Sequence, residues 1–174
     1  MSLLIVFGGL PATGKTTLAR ELARRLAAAH LRIDTIEQSL KAAGLAVGPT
    51  GYMIANALAA DNLVLGRAVV ADCVNPVRAS RNGWRETAWR CSARLVEIEI
   101  ICSDLAEHRR RAEGRVTDID GLILPSWDEI TSKTYEPWDR DRLLLDTAGT
   151  SIDRLVDELE ARIAAARAAT HSHG

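Results

Sequence analysis

Residues 9–16 read Gly-Leu-Pro-Ala-Thr-Gly-Lys-Thr, and the unbroken apolar run of residues 3–7 stands directly before them. A run with no polar alternation suits a strand buried on both faces, as in a parallel sheet. Residues 17–29 follow with a helical pattern, Leu18, Leu22 and Leu26 forming one stripe. Strand, glycine loop and helix together form the setting in which this loop cradles phosphate. Gly9 and Gly14 let the backbone curl so that N–H groups point at phosphate oxygens. Ala12, Thr13 and Thr17 belong to the same cradle, and the helix N-terminus adds partial positive charge. In this motif Lys15 reaches the β- and γ-phosphates, and Thr16 offers a hydroxyl to Mg²⁺.

The bulk of the chain narrows the partners. Its 174 residues fit one domain with one sizeable core. At 47% hydrophobic and 26% charged, it has the composition of a globular protein. A net charge of −1 gives no global basic field for nucleic acid or an acidic membrane surface. No apolar run approaches the ~20 residues of a membrane span. Cys73, Cys91 and Cys102 are odd in number and lack metal-ligand spacing, which points to a reducing compartment. With no basic leader before the first strand, a cytoplasmic protein is expected. Residues 169–174 are small and polar and are expected to fray.

Strand-like runs alternate with helical patterns along the rest. A second strand is expected at 31–33. Asp34 then stands three residues before Glu37, the spacing of a capping box for the next helix. Gly44, Gly48, Pro49 and Gly51 break that helix. Residues 52–65 read as a helix and 68–71 as a buried strand ending in Asp72. A basic helix is expected at 78–94 and a strand at 95–101. In that strand Glu97 and Glu99 alternate with apolar neighbours, as on a wetter face at a sheet edge or near a site. A short basic helix covers 104–114. Residues 116–138, with Gly121, Pro125 and Pro137, are too irregular for regular structure. A last strand at 143–145 and an amphipathic helix at 152–168 complete the pattern. The expected fold class is α/β, a three-layer P-loop fold with a five-stranded, mostly parallel sheet, helices on both faces and a small lid at about 111–138.

A phosphate loop alone does not say what becomes of the phosphate. Asp146-Thr147-Ala148-Gly149 matches the Asp-x-x-Gly segment of GTPases, but it follows the last strand, and no Asn-Lys-x-Asp segment occurs. A loop there suits packing on a nucleotide base, which makes Thr147 a candidate contact. The third strand ends Asp72-Cys73 rather than in the paired acids of a motor ATPase.

Residues 32–40, Arg-Ile-Asp-Thr-Ile-Glu-Gln-Ser-Leu, resemble the Asp-Gly-Asp-Asn-Val-Arg-x-x-Leu segment of adenylylsulfate kinases. Residues 75–85 resemble that family's Ser-Pro-Tyr-Arg-x-x-Arg-Asp-x-x-Arg, with Arg78, Arg81 and Arg85 in register. Gluconate and shikimate kinases share the layout more weakly. The resemblance, to the broad adenylylsulfate-kinase-like and zeta-toxin-like group, implies transfer of the γ-phosphate of ATP to a small-molecule hydroxyl, with Mg²⁺. Glu37 stands where the adenylylsulfate family has an arginine, and Arg32 replaces an acid. These reversals argue against adenylylsulfate as acceptor.

The candidate site follows. Asp34, at a strand's C-terminal end, is placed to accept or hold the acceptor hydroxyl's proton. Glu37, Arg78 and Arg81 are candidates for the acceptor wall. Asp72 is a candidate to hold Mg²⁺ with Thr16. Arg111 and Arg115, four apart on one helical face, are candidates to neutralise the transferring phosphoryl group, and Arg111 also to touch nucleotide. Arg109 and Arg110 read as a solvated face, and His30 and His108 as surface residues. A monomer or weak homodimer is expected. The alternatives are a nucleotide-binding module without transfer activity and a polynucleotide 5′-hydroxyl kinase.

Overall fold

The computed structural model describes residues 2–168. In chain order its elements are β1 (Leu3–Gly8), α1 (Lys15–Arg25), β2 (Ala29–Arg32), α2 (Ile33–Ala42), α3 (Thr50–Val64), β3 (Ala68–Asp72), α4 (Arg78–Arg90), β4 (Arg94–Ile101), α5 (Leu105–Glu113), α6 (Trp127–Thr131), β5 (Leu143–Asp146) and α7 (Ile152–Ala168). The strands form one sheet in the order β2-β3-β1-β4-β5, and every pairing is parallel. The expected five-stranded sheet is therefore present and wholly parallel. Residues 169–174, expected to fray, lie outside the described residues.

Both faces of the sheet are covered, which is why β1 is apolar at every position. Leu3, Ile5 and Phe7 pack with Leu18, Leu22, Leu155, Val156 and Leu159 of α1 and α7. Leu4 and Val6 point the other way, into a core with Ala55, Ala59, Leu63, Trp84 and Ala88 of α3 and α4. The two-residue alternation of a strand thus feeds two separate cores. Truncating Leu18 or Leu22 to alanine would cost about 2–5 kcal/mol.

Two helices stop earlier than their patterns suggest. After α1, Ala27 adopts φ 48°, and the Ala28 amide donates to the Ala23 carbonyl at 2.9 Å. After α4, Ser92 adopts φ 49°, and the Ala93 amide donates to the Ala88 carbonyl at 2.8 Å. Both are left-handed helix stops made without glycine. They release Ala29 and Arg94 into β2 and β4, strands that begin before their expected starts.

Asp34 does not cap α2. β2 runs directly into the helix, Arg32 occupies the N-cap position, and Asp34 lies in the first turn without a capping bond. Glu97 and Glu99 also depart from expectation. β4 lies between β1 and β5, and both carboxylates are buried. They face Arg140 at 3.9 Å and Arg142 at 2.7 Å from the segment before β5.

The irregular region divides in two. Residues 116–125 lie over the mouth of the molecule. Beyond α6, whose N-terminus carries a Ser126–Glu129 capping box, residues 132–142 form a strap across the sheet ends. Glu136 donates its amide to the Pro76 carbonyl at 2.8 Å, and the Trp138 ring rests where a Gly8 side chain would be, 2.9 Å from an ideal Cβ. The distal part of the expected lid is thus a packed strap.

Candidate active site

Strand order places the site. The chain leaves β1 toward β2 on one side and later crosses from β3 to β4 on the other, opening a crevice beyond the C-terminal ends of β1 and β3. Phe7, Asp72 and Arg32 are in register at those ends. The phosphate loop springs from β1 at this point.

The loop is held in a strained, concave form. Gly9, Ala12 and Gly14 have φ of 131°, 64° and 94°. A Cβ on Gly9 would lie 2.1 Å from the Ile100 carbonyl oxygen, so no side chain fits there. Gly9 donates its amide to Val74 at 3.0 Å, tying the loop to the end of β3. Thr13 donates its hydroxyl to Leu10 at 2.9 Å, and Lys15 Nζ donates to the same carbonyl at 2.6 Å. Lys15 is buried, and burial lowers its pKa to about 8, opposed by Asp72 and Asp34 and assisted by Arg115.

The cleft around the loop has a volume of about 1400 Å³. Ala12, Gly14, Lys15, Thr16 and Thr17 line its floor, and Asp72, Asp34 and Glu37 line one wall. Burial alone would raise the pKa of Asp72, but His30, Lys15 and Thr16 outweigh it and hold the carboxyl below its ordinary value. Arg111, Arg115 and the 122–125 stretch close the cleft from above. Arg115 forms no hydrogen bond or ion pair among the described residues. Arg111 is committed: it donates to the Thr147 hydroxyl at 2.8 Å and the Thr147 carbonyl at 3.0 Å, and it pairs with Glu107.

Several expected site residues lie elsewhere. Arg81 is completely buried and off the cleft. Its guanidinium donates to the carbonyls of Asn75 (3.0 Å), Pro137 (3.0 Å) and Glu136 (2.6 Å), and it stacks on Trp138 at 4.4 Å. Arg78 is exposed and pairs with Asp139 at 3.0 Å, also off the cleft. Helix α4 turns its arginines toward the strap and solvent, so neither residue lines the cleft. Gly9, Thr13 and Thr147 support the loop from behind. Thr147 is buried, its hydroxyl 2.8 Å from the Thr13 carbonyl, and residues 150–153 are the part of this connection that lines the cleft.

His30 and His108 are not surface residues. His108 is buried, donates from Nε2 to the Pro11 carbonyl at 2.8 Å, and meets Trp127 edge-on. His30 is partly buried, with Nε2 3.7 Å from Asp72 Oδ2. Arg109 and Arg110 are exposed as expected, although Arg110 also edges the cleft. Sequence reasoning missed Tyr52, Arg20 and Asp118. Tyr52 lines the cleft with Asp34 and Glu37. Asp118 bridges Arg20 at 2.6 Å and Arg32 at 2.7 Å, fastening the covering segment to α1 and β2. No local pattern marks these residues, because their partners are distant in the chain.

Fold and loop together define a P-loop nucleotide-binding α/β protein. The family model described as AAA domain, AAA_33, matches residues 4–135, and the chain belongs to that family. Among solved structures it is similar to a gluconokinase from Sinorhizobium meliloti 1021, with TM-score 0.71, 18% identity, and 99% of this chain and 97% of that one covered. It is also similar to the Mycobacterium tuberculosis APS kinase CysC in complex with AMPPNP and APS, with TM-score 0.65, 20% identity, and 92% and 96% covered. Chaetomium thermophilum Kti12 in complex with ADP-AlF3 matches with TM-score 0.67, 21% identity, and 91% and 97% covered. These likenesses establish the fold. A search of curated proteins finds no significant match.

Proposed function

We propose that this protein is an ATP- and Mg²⁺-dependent phosphotransferase that moves the γ-phosphate of ATP to a hydroxyl of a small molecule. The observation that carries this reading is convergence. One cleft holds Lys15 and Thr16 of the loop, the buried Asp72, the carboxylate of Asp34 and the uncommitted Arg115. A nucleotide-binding loop needs the first three. A carboxylate beside them and an arginine above them are what transfer to a hydroxyl adds. Two of the structural relatives are a gluconokinase and an APS kinase, both small-molecule kinases by name.

The donor set fits Mg²⁺. Thr16 and Asp72 offer hard oxygen ligands, and Asp72 Oδ2 is buried without a hydrogen-bond partner. When bound, the ion neutralises phosphate charge. Thr16 and Asp72 would hold it, directly or through water. Lys15 would leave the Leu10 carbonyl for phosphate oxygens. Asp34 would take or orient the hydroxyl proton, and Arg115 would donate to the moving phosphoryl group. Arg111, fixed on Thr147, would flank the nucleotide beside Gly14.

Three free cysteines suit a reducing, cytoplasmic setting, and we read the chain as a monomer or weak homodimer. A polynucleotide 5′-hydroxyl kinase has less support, since Arg78 and Arg81 do not reach the cleft. A nucleotide-binding module without transfer activity would have no use for a carboxylate placed as Asp34 is. ADP release with Mg·ATP, across sugars, amino alcohols, nucleosides and short oligonucleotides, tests the proposal. Acceptor-dependent ADP release from a small molecule supports it. Tight ATP binding with no acceptor dependence in any class contradicts it.

A further inference from the structure

We propose that the acceptor end of this cleft takes a hydroxyl compound that carries an amine, with Glu37 reading the ammonium while Asp34 holds the hydroxyl. The inference rests on the phosphotransfer reading above and specifies its substrate class.

Asp34 and Glu37 are three residues apart on α2, so they share a helical face, and both line the cleft. Neither carboxylate is hydrogen-bonded or ion-paired among the described residues. The fold makes room for Glu37 in particular. An ideal Cβ on Gly51 would lie 2.6 Å from Glu37 Cγ and 3.2 Å from Oε1, so the glutamate stem fills a notch in α3 that any larger residue would close. Partial burial, and then the neighbouring Asp34, raise the pKa of Glu37. Lys41 and Lys133 oppose the shift, but both are exposed and neither forms an ion pair with it. A ligand ammonium beside the two carboxylates would offset their repulsion without displacing an existing partner.

The rest of the wall agrees. Tyr52 lines it, and its hydroxyl already accepts the Asn75 amide at 3.1 Å. Its ring face attracts cations, and its O–H proton stays free to donate to an acceptor oxygen. The three arginines that the sequence pattern would put near the acceptor are spent elsewhere. Arg81 is buried on three carbonyls, Arg78 is paired with Asp139, and Arg32 is paired with Asp118. Lys15 and Arg115 are directed to the phosphates in the phosphotransfer reading. A hydroxy acid would therefore meet two carboxylates, with only the exposed Lys133 and Arg110 as unpaired cations elsewhere on the cleft lining among the described residues.

The test is ADP release by the whole protein with saturating Mg·ATP. It uses amino sugars and amino alcohols, each paired with its N-acetylated twin, and hydroxy acids of equal size. The amine is expected to exceed its acetylated twin in kcat/KM by roughly 10-fold or more. Glu37→Gln should remove that preference while leaving affinity for an ATP analogue unchanged. Gly51→Ala, which keeps the charge but shifts Glu37, should weaken it. Glu37→Lys should turn selectivity toward hydroxy acids. Equal or better turnover of the acetylated or acidic compounds by wild type overturns this proposal and leaves the kinase reading standing. ADP release with no compound in the panel, despite analogue binding, counts against both.

Discussion

Arg32 and Asp72 are register partners at the ends of neighbouring parallel strands, yet Arg32 turns its guanidinium to Asp118 at 2.7 Å and leaves its Nε 4.0 Å from Asp72. A strand-end arginine that would crowd the carboxylate proposed to hold Mg²⁺ is thereby engaged by the segment that covers the cleft. Asp118 also pairs with Arg20 at 2.6 Å, so one carboxylate latches residues 116–125 to two elements of the core.

That latch should be local. Asp118 and Arg20 are half exposed, and that pair contributes about 0–1 kcal/mol; Arg32 is buried, but an asparagine amide oxygen can still accept its N–H, so Asp118→Asn should lower Tm only slightly. Limited proteolysis within 116–125 should accelerate several-fold and be suppressed by an ATP analogue with Mg²⁺. The two arginines hold the Asp118 carboxyl far below its ordinary value. Since the folded pKa is depressed, the latch persists at neutral pH and down through the usual carboxylate range. It is lost only as pH falls through that depressed value. Unchanged cleavage in Asp118→Asn would show that the segment is held by other contacts.

Arg81 is a structural pin. Arg81→Met would leave the Asn75, Glu136 and Pro137 carbonyls without their donor, a cost of roughly 3 kcal/mol or more. Urea denaturation should show this loss, with ATP-analogue affinity retained at low denaturant. A variant of wild-type stability that loses only acceptor turnover would return Arg81 to the substrate site.

As the proposed phosphate ligand, Lys15 should tie nucleotide affinity to pH. Its pKa in the free protein is lowered to about 8, and phosphate binding favours the charged form. Affinity for ATP should therefore be full below pH 8 and fall as pH rises above it. Phosphate itself, with its second pKa near ~6, is already ionised across that window. Lys15→Met should bind weakly at every pH and lose the slope while keeping the fold. Titration calorimetry from pH 7 to 9.5 measures both. A wild-type affinity independent of pH over that range would mean that Lys15 is not the phosphate ligand.

What could be read from the sequence divides along a physical line. The phosphate loop was legible because Gly9, Gly14, Lys15 and Thr16 act through local backbone geometry within a few residues. The parallel sheet was legible because strands buried on both faces must be apolar throughout. Arg81 was misread because helical spacing shows which residues share a face of α4 but not what lies against it. The strap that buries Arg81 arrives from residues 135–138. Asp34 was misplaced as a cap because β2 joins α2 with no intervening turn, and the early stops at Ala27 and Ser92 were hidden because neither residue is glycine. Asp118 and Tyr52 were silent since their roles exist only once distant segments meet.

Asp34→Asn is the most direct test of the central claim. Asparagine keeps the size and polarity of the side chain, and the aspartate caps no helix here, so the fold and the phosphate loop should be untouched. Single-turnover transfer from ATP to an identified acceptor hydroxyl should be measured beside the affinity for an ATP analogue. Affinity should match wild type while transfer falls by roughly 10²-fold or more, the range for losing a positioned base. Transfer at the wild-type rate would contradict the assignment of this cleft's carboxylate to the reaction.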